Sequence, residues 1–256
     1  MVKLYGAAAS EIRAWTPVKC SGKFKVSAIL NDNTYIMKII ITGTTGMVGE
    51  GVMQRCLDNP KVEKVLSISR KPNGHQHSKL EELIHQNFSD LSPVADQLTG
   101  YDACFFCAGI SSLGISKEQY EKITHDLTLS FASTLAQLNP QMTFTYVSGQ
   151  GTDSSEKGKT HWARVKGKTE NDLRKLPFKQ VFAYRPGGMK PLDGAKHVLS
   201  WYKYFAWLYP IGRKLFPNGF NTLAEVGDSM VNVTQNGYGK FILEGKEITE
   251  TANQLG

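Results

Sequence analysis

The sequence predicts an α/β fold in which one doubly wound parallel sheet is covered by helices and followed by a small C-terminal region. Three observations support this prediction. From residue 38 onward, short apolar runs alternate with helical patterns, as a parallel sheet with crossover helices requires. A glycine-rich turn follows the first apolar run directly. The length of 256 residues and the hydrophobic content of 41% suffice for one sizeable core.

The predicted elements follow one another in a regular order. Strands are predicted at Lys38–Thr42, Val62–Ile68, Ile84–Phe88, Ala103–Cys107, Thr143–Val147, Gln180–Tyr184 and Lys240–Leu243. Helices are predicted at Val48–Leu57, Lys117–Leu138, Trp162–Lys175, Lys196–Phe216 and Thr222–Thr234. Right-handed crossovers between parallel strands then place a ligand crevice at the carboxyl ends of the strands.

The first 36 residues differ from the rest of the chain. Residues 1–36 show no sustained period of two or 3.6, and Met37 then opens a buried type of strand. We interpret residues 1–36 as an extension or tag-like segment, with a short hairpin packed on the domain as the alternative. Residues 37–256 form the single domain, with a substrate or lid part at about 187–236.

Composition narrows the functional classes. The net charge of +7 is spread along the chain, which argues against nucleic acid as the partner. Four cysteines without a regular pairing pattern indicate a reducing compartment. No run reaches the roughly 20 apolar residues that span a bilayer. No signal-peptide pattern is seen at the start of the sequence, so a cytoplasmic location is expected.

The turn after the first strand carries the strongest motif, a Gly-x-x-Gly-x-x-Gly spacing at Gly43, Gly46 and Gly49. Such a turn brings backbone close to a pyrophosphate, and the helix that follows offers unpaired N–H groups and the positive end of its dipole. A structural turn between strand and helix is the alternative. The pattern predicts a Rossmann-like dinucleotide site; Thr45, Met47 and Val48 are its other expected cofactor contacts in this turn.

The end of the second strand indicates which dinucleotide binds. A carboxylate at this place would bind the ribose hydroxyls of NAD, but Ser69 and Arg70 stand there instead. A hydroxyl and a guanidinium suit a 2′-phosphate, so NADP(H) is predicted over NAD(H). An ordinary solvated basic turn is the alternative.

The glycine turn, the basic end of strand two and the later Phe106-Cys107-Ala108-Gly109 resemble the short-chain dehydrogenase/reductase superfamily. The resemblance is to its atypical extended branch, which includes epimerase-like and NAD(P)H-binding regulatory proteins, and it extends from Met37 to about Ile248. It implies that Cys107, Ala108 and Gly109 contact the cofactor near the nicotinamide ribose.

The resemblance also implies a catalytic set. A serine at the end of the fifth strand corresponds to Ser148, and the lysine of a Tyr-x-x-x-Lys helix motif corresponds to Lys166, which also holds the ribose. Trp162 stands in place of the tyrosine. An indole N–H donates a hydrogen bond but does not ionise usefully, so it cannot replace the phenol. His161 is the candidate substitute because its intrinsic pKa suits proton transfer.

Two functions therefore stay open. The first is an NADP(H)-dependent oxidoreductase or epimerase-like protein acting on a small carbonyl or sugar-like substrate. The second is a non-catalytic NADP(H)-binding regulator or sensor that acts through a protein partner. Trp162 favours the second, and the retained Ser148 and Lys166 favour the first.

The remaining motifs have simpler interpretations. Cys104 and Cys107 lie in an apolar strand and are expected to pack in the core. His75 and His77 lie in a polar turn and are expected to face water, so no metal is predicted. The aromatic stretch Val198–Phe216 is interpreted as a lid or core helix. Pairing in a homodimer or lying on a membrane surface are its alternatives, and the membrane role is not favoured.

Overall fold

The computed structural model describes residues 36–198 and 209–254. Seven parallel strands form one sheet in the order β3-β2-β1-β4-β5-β6-β9, which confirms the predicted doubly wound fold. These strands are β1 Met37–Thr42, β2 Val62–Ser69, β3 Leu80–Ile84, β4 Ala103–Phe106, β5 Thr143–Val147, β6 Gln180–Arg185 and β9 Ile242–Glu244. A separate parallel pair consists of β7 Gly188–Lys190 and β8 Phe220–Thr222.

Helices connect the strands and cover both faces of the sheet. The α-helices are α1 Met47–Asp58, α2 Lys117–Glu121, α3 Leu127–Leu138, α4 His161–Leu173, α5 Tyr209–Leu215, α6 Leu223–Asn236 and α7 Gly245–Ala252. A π-helical segment, Lys122–Asp126, joins α2 to α3, and short 3-10 helices lie at Ser92–Leu98 and Pro217–Gly219.

The core lies on both sides of the sheet because side chains alternate along a strand. In β1, Ile39 and Ile41 belong to one apolar cluster, whereas Ile40 belongs to the other. The first cluster includes residues of α1, α6 and α7, and the second includes residues of α3. The continuous apolar run of β1 is therefore what a strand covered on both faces requires.

The strand order reverses beside β1. The chain proceeds from β1 outward to β2 and β3, and then returns to β4 on the other side of β1. In sheets of this kind the crevice for a ligand opens at the carboxyl ends of the strands at the reversal. The glycine turn after β1 and the loop after β4 lie there.

Two predicted elements were wrong. The third strand is Leu80–Ile84, not Ile84–Phe88, because Phe88 is buried in the following loop, where its ring packs on Phe131 with 5.4 Å between centroids. The predicted helix Lys196–Phe216 does not begin at Lys196, because the amides of Lys196 and His197 donate to the Glu50 carboxylate. Helix α5 is Tyr209–Leu215, and residues 199–208 of the aromatic stretch lie outside the described residues.

The structure can be compared with two of the predicted boundaries, the start of the domain and the extent of the lid. β1 begins at Met37, where the domain was predicted to begin, and residues 1–35 of the predicted extension lie outside the described residues. The predicted lid, residues 187–236, extends too far. Helix α6 is part of the main core, since Val226 and Met230 are completely buried in the same cluster as β1 and α1.

Candidate functional site

The glycine turn has the geometry that the motif predicts. Gly43 has a φ of +75°, and a Cβ there would lie 2.7 Å from the backbone of Cys107 and Ala108. A Cβ on Gly49 would lie 2.2 Å from the carbonyl oxygen of Gly43, so helix and strand pack here at backbone distance. At Gly46 a Cβ would meet only the Gly43 oxygen, at 3.5 Å. Gly43 and Gly49 are thus required for packing, whereas Gly46 faces open space.

Helix α1 begins directly after this open position. Gly46 is its N-cap residue and, being a glycine, has no side chain with which to cap the helix. The N–H groups of the first helical turn have no partner inside a helix, and they carry the positive end of the helix dipole. Thr45, Met47 and Val48 are half-buried around this helix start. The turn therefore fits an anionic group such as a pyrophosphate.

The loop after β4 closes one side of the turn. The amide of Ala108 donates to Thr42 Oγ1 over 3.2 Å, and Cys107 lies against Gly43. A Cβ added at Gly109 would have no atom within 4 Å. The structure therefore brings Cys107 and Ala108 to the glycine turn and leaves Gly109 at open space beside it.

Ser69 and Arg70 at the end of β2 occupy different environments. The Ser69 hydroxyl is buried and donates to the carbonyl oxygen of Lys71 over 2.6 Å, so it stabilises the turn. Arg70 is exposed, and its guanidinium makes no hydrogen bond or ion pair with any of the residues that the structure describes. Arg70 is accordingly available for an external anion.

Ser148, at the end of β5, is part of a buried polar cluster. Its hydroxyl lies 2.5 Å from Glu170 Oε1, to which it donates, and 3.1 Å from the carbonyl oxygen of Tyr184. Glu170 is completely buried and is paired with both Nε and Nη2 of Arg185 at the end of β6. Arg185 Nη2 also donates to Ser154 Oγ. The single hydroxyl proton of Ser148 is engaged by Glu170, which favours a structural role over polarisation of a substrate oxygen.

Lys166 and Trp162 lie one turn apart on the face of α4 that meets the loop after β5. The ammonium group of Lys166 donates to the carbonyl oxygen of Ser148. Burial lowers the pKa of Lys166 to about 8, although the nearby Glu170 carboxylate opposes this change. The indole of Trp162 lies against Gly151, where a Cβ would be 3.5 Å from the ring.

His161 does not join this site. Its ring contacts Tyr120 of α2 edge-on, with 6.1 Å between centroids, and Lys168 on the same side of α4 pairs with Glu121 at 2.7 Å. One residue along a helix turns the side chain by about 100°, so His161 and Trp162 face different neighbours. The prediction that His161 replaces the missing phenol is therefore corrected: the residue faces α2, away from Lys166.

A cleft of about 610 Å³ lies next to the loop after β5. Gln150 of that loop lines it, and the backbone N–H of Gln150 donates to the carbonyl oxygen of Pro186 over 3.0 Å. The other lining residues come from β7 and the α5–β8 segment: Gly188, Leu215, Phe216, Asn218, Gly219 and Phe220. The cleft is the candidate substrate site, because Gln150 stands two residues after Ser148, whose carbonyl binds Lys166.

Sequence reasoning missed Glu170 and Gln150. Glu170 stands four residues after Lys166 and so lies on the same face of α4, and a charged residue on a helix face that also holds buried Ala163 is a signal of pairing. Gln150 carries no comparable signal, since only the tertiary approach of β7 places it in a cleft.

The parallel sheet with its reversal at β1, the glycine turn and the lysine on α4 define a protein of the short-chain dehydrogenase/reductase superfamily, in its extended, epimerase-like branch. The chain belongs to the NAD dependent epimerase/dehydratase family, whose model matches residues 39–184.

Solved structures share the fold at low sequence identity. A short chain dehydrogenase family protein from Francisella tularensis has a TM-score of 0.59 and 15% identity, covering 83% of this chain and 98% of its own. WbmF from Bordetella bronchiseptica, solved in complex with NAD⁺, has a TM-score of 0.58 and 14% identity, covering 86% of this chain and 80% of its own. At these identities the two likenesses show a shared fold.

Curated relatives are fungal. Leucinostatins biosynthesis cluster protein T of Purpureocillium lilacinum is 31% identical over 163 residues, which are 60% of this chain and 58% of the relative. Protein fmp52, mitochondrial, of Emericella nidulans is 26% identical over 159 residues, which are 58% of this chain and 65% of the relative. The chain thus matches less than two thirds of the length of each of these two proteins.

The names of these relatives correct one prediction. Relatives from Emericella nidulans and Candida albicans carry the designation mitochondrial, which contradicts the expected cytoplasmic location. Among the described residues, no helix is long and apolar enough to cross a membrane.

Proposed function

We propose that the protein is an NADP(H)-dependent oxidoreductase or epimerase-like enzyme that acts on a small carbonyl or sugar-like molecule bound beside Gln150. The observation that carries this proposal is Lys166. Its ammonium donates to the carbonyl oxygen of Ser148 in the loop after β5, and Gln150 of the same loop lines the 610 Å³ cleft. A lysine with a pKa of about 8 is partly deprotonated near neutral pH, so it can both give and take a proton.

The residues present fit a dinucleotide. The uncapped start of α1 and the open space at Gly46 accept a pyrophosphate, and Gly109 leaves room beside the loop after β4. A bound nicotinamide supplies or accepts a hydride. For the 2′-phosphate that distinguishes NADP(H), the support is the exposed guanidinium of Arg70, which no carboxylate among the described residues neutralises.

The catalytic roles differ from those of the superfamily's usual set. Lys166 Nζ holds the proton that a carbonyl oxygen would receive, in place of a phenol. Trp162 packs against Gly151 of the loop after β5, one helical turn away from Lys166. Ser148 acts through its carbonyl oxygen, which positions Lys166, while its hydroxyl positions Glu170.

A second candidate is a non-catalytic NADP(H)-binding regulator that acts through a protein partner. The observations that favour it are specific: Trp162 cannot ionise, and the Ser148 hydroxyl is already bonded to a buried carboxylate. Both candidates require the same cofactor site and differ only in turnover.

Calorimetric titration of the full-length protein with NADPH and NADH tests the cofactor proposal. We expect NADPH to bind more tightly, and Arg70→Ala to weaken NADPH binding roughly tenfold or more while changing NADH binding little, because a charge-assisted pair contributes about 1.5–3 kcal/mol. Lys71→Ala is the matched control at the neighbouring exposed cation. Equal weakening of both cofactors in Arg70→Ala would refute the 2′-phosphate assignment.

Turnover separates the two candidates. Oxidation of NADPH is followed by absorbance with a panel of small aldehydes and ketones, in the wild type and in Lys166→Met. Epimerisation leaves no net change in the cofactor, so a panel of nucleotide sugars is assayed in both proteins by chromatography of the sugar products. Turnover that Lys166→Met reduces at least a hundredfold, with NADPH still bound, supports the enzyme. Tight NADPH binding with no turnover on any member supports the regulator instead.

A further inference from the structure

Three side chains with metal-binding chemistry meet outside the crevice. Glu50 comes from the first turn of α1, His75 from the loop between β2 and β3, and His197 from the segment after β7. Each offers one nitrogen or oxygen atom, and these atoms all lie within 4.8 Å of one another. The sequence placed His75 in water and predicted no metal. In the structure, both imidazoles are half-buried against a completely buried carboxylate.

The Glu50 carboxylate is held in an ionised, oriented state. His75 Nε2 lies 2.8 Å from Oε1, the Lys196 amide donates to the same oxygen over 2.7 Å, and the His197 amide donates to Oε2 over 2.7 Å. Burial by itself raises the pKa of Glu50, but these hydrogen bonds outweigh it and leave the pKa lowered. Three donors do not saturate the two oxygens, which together offer about four lone-pair sites.

A second layer of contacts through Asn73 holds the backbone at His75 and the imidazole of His197. The His75 amide donates to Asn73 Oδ1 over 2.8 Å, and His197 Nε2 lies 3.3 Å from the carbonyl oxygen of Asn73. Asn73 is itself buried, and its side-chain amide donates to Ser67 Oγ over 3.3 Å. A ring nitrogen that donates to a backbone carbonyl leaves the other nitrogen with a lone pair, which is the usual arrangement around a metal-binding histidine.

We propose that Glu50, His75 and His197 bind one divalent transition-metal cation, with Zn²⁺ as the best match. Two imidazole nitrogens and one carboxylate oxygen are a common ligand set for zinc, with water in the remaining position. The cation takes the place of the hydrogen bond between His75 and Glu50. The two amides that donate to the carboxylate continue to orient it.

A cation at this position connects three segments of the chain. They are the helix that begins at the glycine turn, the loop that starts with Arg70 and the segment that leads into the C-terminal region. Occupancy fixes these three segments to one another, so the bound protein is more resistant to unfolding than the metal-free protein.

The test uses the untagged full-length chain, stripped with a chelator and titrated with Co²⁺ and then Zn²⁺. We expect one equivalent of Co²⁺ to give a visible d–d absorption band that Zn²⁺ abolishes, and a rise in Tm with either ion. His75→Gln and His197→Gln should each weaken binding at least tenfold. His77→Gln, an exposed histidine two residues away in the same loop, is the matched control and should bind like the wild type.

Two results would overturn the proposal: no stoichiometric Co²⁺ band in the wild type, or a band of the same affinity in both glutamine variants. Circular dichroism checks that the variants are folded. If neither variant folds, X-ray absorption of the Co²⁺-loaded wild type decides the question. Scattering from two imidazoles supports the site, and scattering without imidazole refutes it.

Discussion

Glu170 and Arg185 show how a buried charge is compensated where α4 packs against the ends of β5 and β6. Glu170 is completely buried, and its two oxygens are occupied by Arg185 and Ser148. Removing one partner of a buried pair leaves the other charge uncompensated, which costs about 3–5 kcal/mol. We therefore expect Arg185→Met to lower the free energy of unfolding by about that amount, measured by urea denaturation.

The control for this prediction is a surface pair. Lys175 lies 2.7 Å from Asp172, but its side chain is 73% exposed, so Lys175→Met should cost less than about 1 kcal/mol. The double variant Glu170→Leu with Arg185→Met should be more stable than Arg185→Met alone, since it removes the unpaired carboxylate. A loss in Arg185→Met as small as that in Lys175→Met would contradict the assigned role of the pair.

Lys166 links stability to pH. Burial lowers its pKa from 10.5 to about 8, so between these values the unfolded chain retains a proton that the folded protein has released. Stability from this group therefore rises with pH across that window, and below it the cost of burying the ammonium is at its maximum. The stability advantage of Lys166→Met over the wild type should shrink by about 1–3 kcal/mol between pH 7 and pH 10.5.

Urea denaturation of both proteins at several pH values checks this prediction. Lys168→Met is the control, because Lys168 lies on the same helix, is only half-buried, and has a pKa raised by its hydrogen bond to Glu121. Its substitution should produce no comparable trend over that range. A constant difference between the wild type and Lys166→Met would show that the ammonium is solvated.

Spacing in the sequence identified Lys166 and Trp162 because the two residues lie one helical turn apart, a local property. It did not identify the partners of Ser148. Whether Glu170 is solvated or buried depends on Arg185, which is fifteen residues away and reaches it only after β6 has joined the sheet. His161 is adjacent to Trp162 in sequence, but one step along a helix turns the side chain by about 100°, so its ring contacts Tyr120 of α2 instead of Lys166.

At the scale of elements, Gly46 and Gly49 of the unit formed by β1, the glycine turn and α1 differ in the space around them. A Cβ on Gly49 would clash with the Gly43 carbonyl oxygen at 2.2 Å, whereas a Cβ on Gly46 would make one ordinary contact at 3.5 Å. We expect Gly49→Ala to lower the free energy of unfolding by about 1–3 kcal/mol or more, as overpacking does. Gly46→Ala should change it by less than about 1 kcal/mol, as N-cap changes do.

Substitution of Gly46 should affect the affinity for NADPH much more than it affects stability. Gly46→Ala places a methyl group where the pyrophosphate is proposed to lie, so NADPH binding should weaken at least tenfold in a protein of nearly normal stability. Calorimetry and urea denaturation on the same samples measure both quantities. Unchanged NADPH affinity in Gly46→Ala would place the phosphates elsewhere.

Long apolar runs and glycine spacing predicted the central strands and α1, because burial on both faces leaves a strong pattern. Shorter elements escaped prediction for physical reasons. The strands β7 and β8 have three residues each, too few for a period, and they exist because the two segments pair with each other. Among the described residues, the edge strand β3 pairs only with β2 and is exposed or half-buried, so its pattern is weak.

At the scale of the whole molecule, α1 is the common contact of several distant segments. Arg55 near its end makes two hydrogen bonds to Asp228 of α6, at 2.9 and 3.0 Å, and Gly51 lies against Leu223. Glu50 near its start binds the segment that follows β7. The cofactor helix and the C-terminal region therefore form one cooperative unit, which explains why α6 belongs to the core and not to a lid.

The same unit predicts which residues are needed for folding. Among the described residues, the seven-stranded sheet and both apolar clusters are built between Met37 and Ile248. A chain that begins at Met37 retains all of them, so it should unfold cooperatively in urea with the stability of a typical domain, about 5–15 kcal/mol, and it should bind NADPH. A chain that begins at Gly43 lacks the central strand β1 and should not fold, which controls for nonspecific effects of truncation. Loss of cooperative unfolding in the chain from Met37 would contradict this prediction.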